Sequence, residues 1–170
     1  MAVTISGDTG ISAVQAGAVE SGDLPAGSVI QVVENSTSTE VSTNASGTFD
    51  TGLSGAITPT SVDSKILIQA NSMIRLDGSD PRVEFFITDS ADNILRDFGR
   101  VVRHQIDFNG TLETVISLSH VDTPATTSFV EYKVRAQISS GSSLTGGAIT
   151  FQDNSQGTGT STITLMEIAG

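Results

Sequence analysis

Alternation of apolar and polar residues with a period of two recurs through this 170-residue chain, and it constrains the fold more than any other feature. A period of two sends successive side chains to opposite faces of an extended strand, whereas a helix needs a period of 3.6. Val29-Ile30-Gln31-Val32-Val33 is short and rich in β-branched residues, and Lys65 to Ala70 is a near-continuous apolar run of strand length. Arg82 to Thr88 alternates into the pair Phe85-Phe86. Ser128 to Ile138 sets Phe129, Glu131, Lys133, Arg135 and Gln137 against Val130, Tyr132, Val134, Ala136 and Ile138. Ser161 to Ile168 alternates in the same way.

Val101 to Phe108 and Thr111 to Leu118 flank Asn109-Gly110. Both residues tolerate the positive φ of a type I′ turn, so the sequence predicts a hairpin there. Turn-rich clusters separate the runs at Asp77-Gly78-Ser79-Asp80-Pro81, Asp89-Ser90-Ala91-Asp92-Asn93 and Asp153-Asn154-Ser155-Gln156-Gly157. No window of about twelve residues keeps an amphipathic helical stripe. The expected fold is all-β, an antiparallel jelly roll or β-sandwich of about eight to ten strands over residues 24–170. Ahead of it, residues 1–23 read as an extended N-terminal arm and linker. There Val3, Ile5 and Ile11 alternate with small polar residues before an Ala/Gly-rich stretch. The competing reading has the arm packed on its own domain.

Composition excludes several kinds of chemistry. The net charge is −11, and the seven acids up to Ser64 are accompanied by no Lys or Arg; all eight bases lie from Lys65 onward, with twelve acids. Such a chain repels phosphate, so no nucleic-acid partner is expected. With 37% hydrophobic residues it can still build a packed core. The absence of cysteine removes disulfides, thiolate nucleophiles and Cys-based zinc sites. The apolar runs are too short for membrane insertion, and Met1 to Asp8 lacks the features of a secretion signal.

Candidate sites are few. His104 and His120 lie in or beside strand runs, with no Gly-x-Ser-x-Gly elbow and no paired-histidine zinc spacing, so they read as structural or rim residues. The acidic turns Asp77/Asp80 and Asp89/Asp92 are weak Ca²⁺ candidates, because closely spaced carboxylates suit an ion that takes about six to eight oxygens. Neither matches an EF-hand loop, and Asp favours turns in any case. No catalytic residues and no cofactor are expected. Ile163, Leu165, Met166 and Ile168 form an apolar strand at the C-terminus, buried either in its own sheet or against neighbouring subunits. Aromatics are scarce at 5%, so the chain is expected to gain core by oligomerising. These four residues are expected at the interface of a homotrimer.

Several stretches resemble a domain found in proteins of bacteriophages, many of them marine. Leu24 to Val33 resembles its opening strand. Thr51 to Ser61, followed by Ser64 to Ile68, resembles a second signature, and Asp122 to Ser128 with Tyr132-Lys133-Val134 a third. Ser161 to Gly170 is similar to its ending, and Thr4 to Ile11 to the start of short phage fibre proteins. Four motifs in the expected order cover most of the chain; Asn71 to Phe108 departs, being more charged and richer in Arg. The resemblance implies a head-fibre or tail-fibre virion protein with a trimeric C1q/TNF-like jelly roll and no catalytic residues.

On that footing the chain is expected to be made in the host cytoplasm and carried on the virion surface. The arm, through Val3, Ile5 and Ile11, would attach it to a capsid or tail protein of the same phage by β-augmentation. An acidic arm implies a basic groove and an attachment that high salt loosens. Loops such as Asp77 to Arg82 and Leu144 to Thr160 would face the host. Without a long shaft, a head fibre or decoration protein is favoured over a receptor-binding tail fibre that recognises a host glycan or protein. A carbohydrate-binding β-sandwich is the third reading, disfavoured by the lack of Trp and a strand-bound Tyr132. A polysaccharide hydrolase is the fourth, and it needs convergent carboxylates.

Overall fold

A computed structural model describes residues 23–78, 80, 82–103, 110–138, 148–154 and 159–170. These residues hold ten strands: β1 (Val29–Thr37), β2 (Val41–Thr43), β3 (Gly47–Ile57), β4 (Lys65–Gly78), β5 (Arg82–Asp89), β6 (Ile94–Arg103), β7 (Gly110–Asp122), β8 (Val130–Ile138), β9 (Ile149–Phe151) and β10 (Ser161–Ile168). All the pairings are antiparallel. Among the described residues, no helix is long and apolar enough to cross a membrane.

The fourteen-residue β4 organises the first sheet. Along one edge it pairs with β7 from Ile66 to Gly78. Along the other, Lys65 to Asn71 pair with β10 and Ile74 to Leu76 with the short β9. β1 closes the sheet beyond β10, giving the order β1-β10-β4-β7, with β2 and β9 as a small extension. The second sheet has the order β3-β8-β5-β6. Leaving β2 and β9 aside, every link along the chain except β5–β6 crosses between the sheets. That connectivity is a jelly roll, as the alternation predicts.

The core lies between the inward rows. Ile66, Ile68, Ile74, Leu76, Ile163 and Leu165 of the first sheet face Leu53, Phe85, Ile87, Tyr132 and Val134 of the second, all essentially inaccessible to water. Phe151 of β9 meets Phe49 and Phe85 edge-on at 5.7 and 6.0 Å between ring centroids, the T-shaped geometry that aromatic quadrupoles favour. Several buried polar groups at the margins are paired within the chain. The Tyr132 hydroxyl donates to Asp122 at 2.8 Å. The Gln152 side-chain amide donates to the carbonyls of Thr39 and Thr51 and accepts from the Ser161 hydroxyl, joining the β9–β10 connection to the β1–β2 link and β3.

One expectation lies largely outside the described residues and another changes. Of the hairpin predicted around Asn109-Gly110, residues 104–109 lie outside the described residues; its described flanks are Val101 to Arg103, at the end of β6 in the second sheet, and β7 from Gly110 onward in the first. A hairpin of the second sheet is β5–β6, turned by Asp89 to Asn93. In that turn the Asp92 amide donates to the Asp89 carbonyl, and Asp92 takes the left-handed conformation at φ 67°. The change concerns β10. Ile163 and Leu165 have no accessible surface in the single chain, so they cannot form a subunit interface as expected. Their register partners Ala70 and Ile68 belong to the chain's own core.

Candidate interaction surface

Because strand side chains alternate, the residues of β10 between the buried ones point away from the core. Met166 stands in register with Val32 on β1 and Leu67 on β4, and Leu67 in turn with Val121 on β7. An apolar row therefore runs across all four strands on the outer face of the first sheet. Val32 and Val121 are about half exposed, at 57% and 49%. Met166 and Leu67 are half-buried. The adjacent row adds Val29, 53% exposed, beside the half-buried Ile168, and ends in Lys65. On the other side the rows turn polar, with Glu34, Thr164, Gln69 and Ser119, then Ser36, Thr162, Asn71 and Ser117. A rimmed apolar band of this kind is a candidate contact surface. Of the four C-terminal residues singled out in the sequence, Met166 and Ile168 lie on it.

The sandwich has two distinct ends. At one, Gly27 donates its amide to the Ala169 carbonyl and Ala169 donates to Ser28, both at 2.8 Å, so the start of the body and residue 170 lie together. Glu167 anchors this end. Its buried carboxylate accepts from Gln31 Nε2 (2.5 Å), the Thr60 amide (2.7 Å) and hydroxyl (2.8 Å), and the Ser64 hydroxyl (2.6 Å). Burial pushes its pKa up, but the hydrogen bonds from Ser64, Gln31 and Thr60 outweigh this and hold it below the ordinary glutamate value. At the opposite end of β4, the Asp77 amide donates to Ala148 (2.9 Å) and Arg75 bridges Asp77 and Asp153. The described parts of the two loop regions expected to act together thus meet at one end.

The Ca²⁺ candidates are not gathered into a site. Asp77 also accepts from the Thr111 hydroxyl at 2.6 Å. Asp80 takes hydrogen bonds from Arg82 and Arg103, which hold its carboxyl down at about 2. Asp89 caps its own turn, accepting from the amides of Ala91 and Asn93 (both 2.9 Å) and the Asn93 side chain (2.7 Å); these bonds lower its pKa. For Asp92, desolvation pushes the pKa up, but hydrogen bonds from Lys133 and Arg135 leave it below the usual range. Oxygens turned toward guanidinium, ammonium and amide groups are not free to surround a cation. No group of three or more His, Asp or Glu is placed to hold a metal ion among the described residues.

His120 lies on the inward side of the edge strand β7, in register with Ile68, and brings no acid–base pair together. The arm residues Val3, Ile5 and Ile11, and His104, lie outside the described residues. Val32, Leu67 and Val121 were not singled out from the sequence, because alternation assigns faces but not which strands lie side by side. No family model matches the chain, and no curated protein matches it in sequence.

Proposed function

We propose that this chain is a non-enzymatic structural protein of a bacteriophage virion, a surface fibre or decoration protein that assembles as a homotrimer. The observation that carries the reading is the polarity of the jelly roll. The body begins beside its own C-terminus at one end, and the loop cluster around Asp77 and Asp153 lies at the other. Residues 1–23, through Val3, Ile5 and Ile11, then attach to a capsid or tail protein, and the loops project outward. The apolar band of Val32, Leu67, Val121 and Met166 supports self-association through the outer face of the first sheet. The fibre-like motifs at Leu24 to Val33 and Ser161 to Gly170 support the phage assignment.

The test is electron microscopy of purified particles carrying one label after Gly170 or another beside Asn154. Both labels are expected on the capsid, the second farther from the shell by roughly 40 Å, the length of a fourteen-residue strand at about 3.3 Å per residue. Labels on the tail alone favour the receptor-binding fibre. Particles without the protein overturn the virion reading.

A further inference from the structure

The outer face of the second sheet, on the far side of the sandwich from the apolar band, carries a pocket of about 460 Å³. That falls within the range of small-molecule sites, about 300–1,000 Å³. Phe86 and Thr88 of β5 line it together with Arg135 and Gln137 of β8 and Ile94 and Asp97 of β6. Thr88 is 2% exposed. Among the described residues, two buried side-chain polar atoms lack a hydrogen-bond partner, Thr88 Oγ1 and Arg135 Nε. Both residues line this pocket. Buried polar atoms are normally paired, so two orphans in one concavity point to a partner from outside the chain.

The orphans and their neighbours specify that partner's chemistry. Arg135 Nε can only donate and requires an acceptor, while Thr88 Oγ1 can do both. Asp97 spends Oδ1 on the Gly99 amide at 2.6 Å and keeps Oδ2 as an acceptor. A cation would bring no acceptor to Arg135. An anion would meet Glu84, Asp92 and Asp97 against one guanidinium, itself already paired with Asp92. Neighbouring hydroxyls on a ring can accept from Arg135, exchange with Thr88 and Gln137, and donate to Asp97. Phe86 and Ile94 offer apolar surface to the ring's C–H face. We propose that this pocket binds a pyranose unit of an uncharged glycan.

Two variants test it. Thr88→Val keeps the shape and β-branching but removes the hydroxyl, and Arg135→Lys keeps a cation for Asp92 but removes Nε. The full chain is titrated by protein-observed NMR with the methyl glycosides of glucose, galactose, mannose and N-acetylglucosamine, with N-acetylneuraminic acid and lysine as charged controls. The expected result is saturable shifts of Thr88, Arg135 and their neighbours with a neutral glycoside, weakened about tenfold by each variant. Thr88→Val is also expected to melt no lower than the parent, since it breaks no hydrogen bond. No shift with any neutral glycoside, a preference for a charged control, or undiminished binding by both variants overturns the proposal. So does a drop in the Thr88→Val midpoint, which would show that the hydroxyl had a partner in the protein. The titration uses free protein, so failure here leaves the virion reading standing, and absence from particles leaves the pocket standing.

Discussion

Gly55 fixes how closely the two sheets approach at the β3–β10 contact. A methyl group there would stand 2.9 Å from Ile163 Cγ2 and 3.5 Å from Leu165 Cδ1. Ile163 is β-branched, has few rotamers, and is fully enclosed, so it has little room to withdraw. Gly55→Ala is expected to lower stability by about 1–3 kcal/mol, read by urea denaturation, and a further Ile163→Val change should restore part of the loss. Glu167 is the second sensitive residue, a buried carboxylate held by neutral donors. In Glu167→Gln an amide NH₂ must face hydroxyl and amide donors, and the expected loss is about 2–3 kcal/mol. Its folded pKa lies below the ordinary value of 4.5, so its contribution is present at neutral pH and is lost as pH falls below about 4.5. Parent and variant should therefore differ most at pH 7 and converge as the pH is taken well below the ordinary glutamate value; a gap that stays constant as the pH falls would show that the charge is not what matters.

Among the strands, those with uninterrupted alternation were legible, and those whose pairing is set by distant chain were not. β1, β5, β8 and β10 fall where the period of two places them. β4 runs on through Asn71 and Ser72 because the β7 ladder continues past the apolar run that announced it. β3 was hidden by Gly52 and Gly55, which look like turn residues. One serves a bulge at φ 78° between Asp50 and Leu53, and the other the close sheet contact. The three-residue β2 and β9 carry too little pattern to detect. The acidic turns were legible as turns but not as ion-pair partners, and the pocket around Thr88 depends on three adjacent strands that sequence cannot align. The β5–β6 hairpin gives a test at this scale. Asp89→Ala removes three acceptor contacts that close its turn, and about 1 kcal/mol of stability is expected to go with them. The NMR disturbance should stay confined to β5, β6 and the turn, whereas shifts spread through the first sheet would mean the hairpin is not a separable element.

For the molecule as a whole, the proposed trimer makes the two faces of β10 separate folding from assembly. Its inward face, Ile163 and Leu165, completes the core of a single chain; its outward face, Met166 and Ile168, joins the band that a neighbouring copy would cover. A charge introduced on each face should therefore fail differently. Met166→Glu combined with Val32→Glu places two carboxylates in the band without touching the interior. That variant is expected to keep the β-sheet circular dichroism of the parent while its mass by light scattering drops from trimer to monomer. Ile163→Glu instead buries an unpaired carboxylate, costly enough to prevent folding at any concentration. A parent protein that is a stable monomer at micromolar concentration would refute the trimer outright. A Met166→Glu/Val32→Glu variant that stays trimeric would move the interface off this face while leaving the fold untouched.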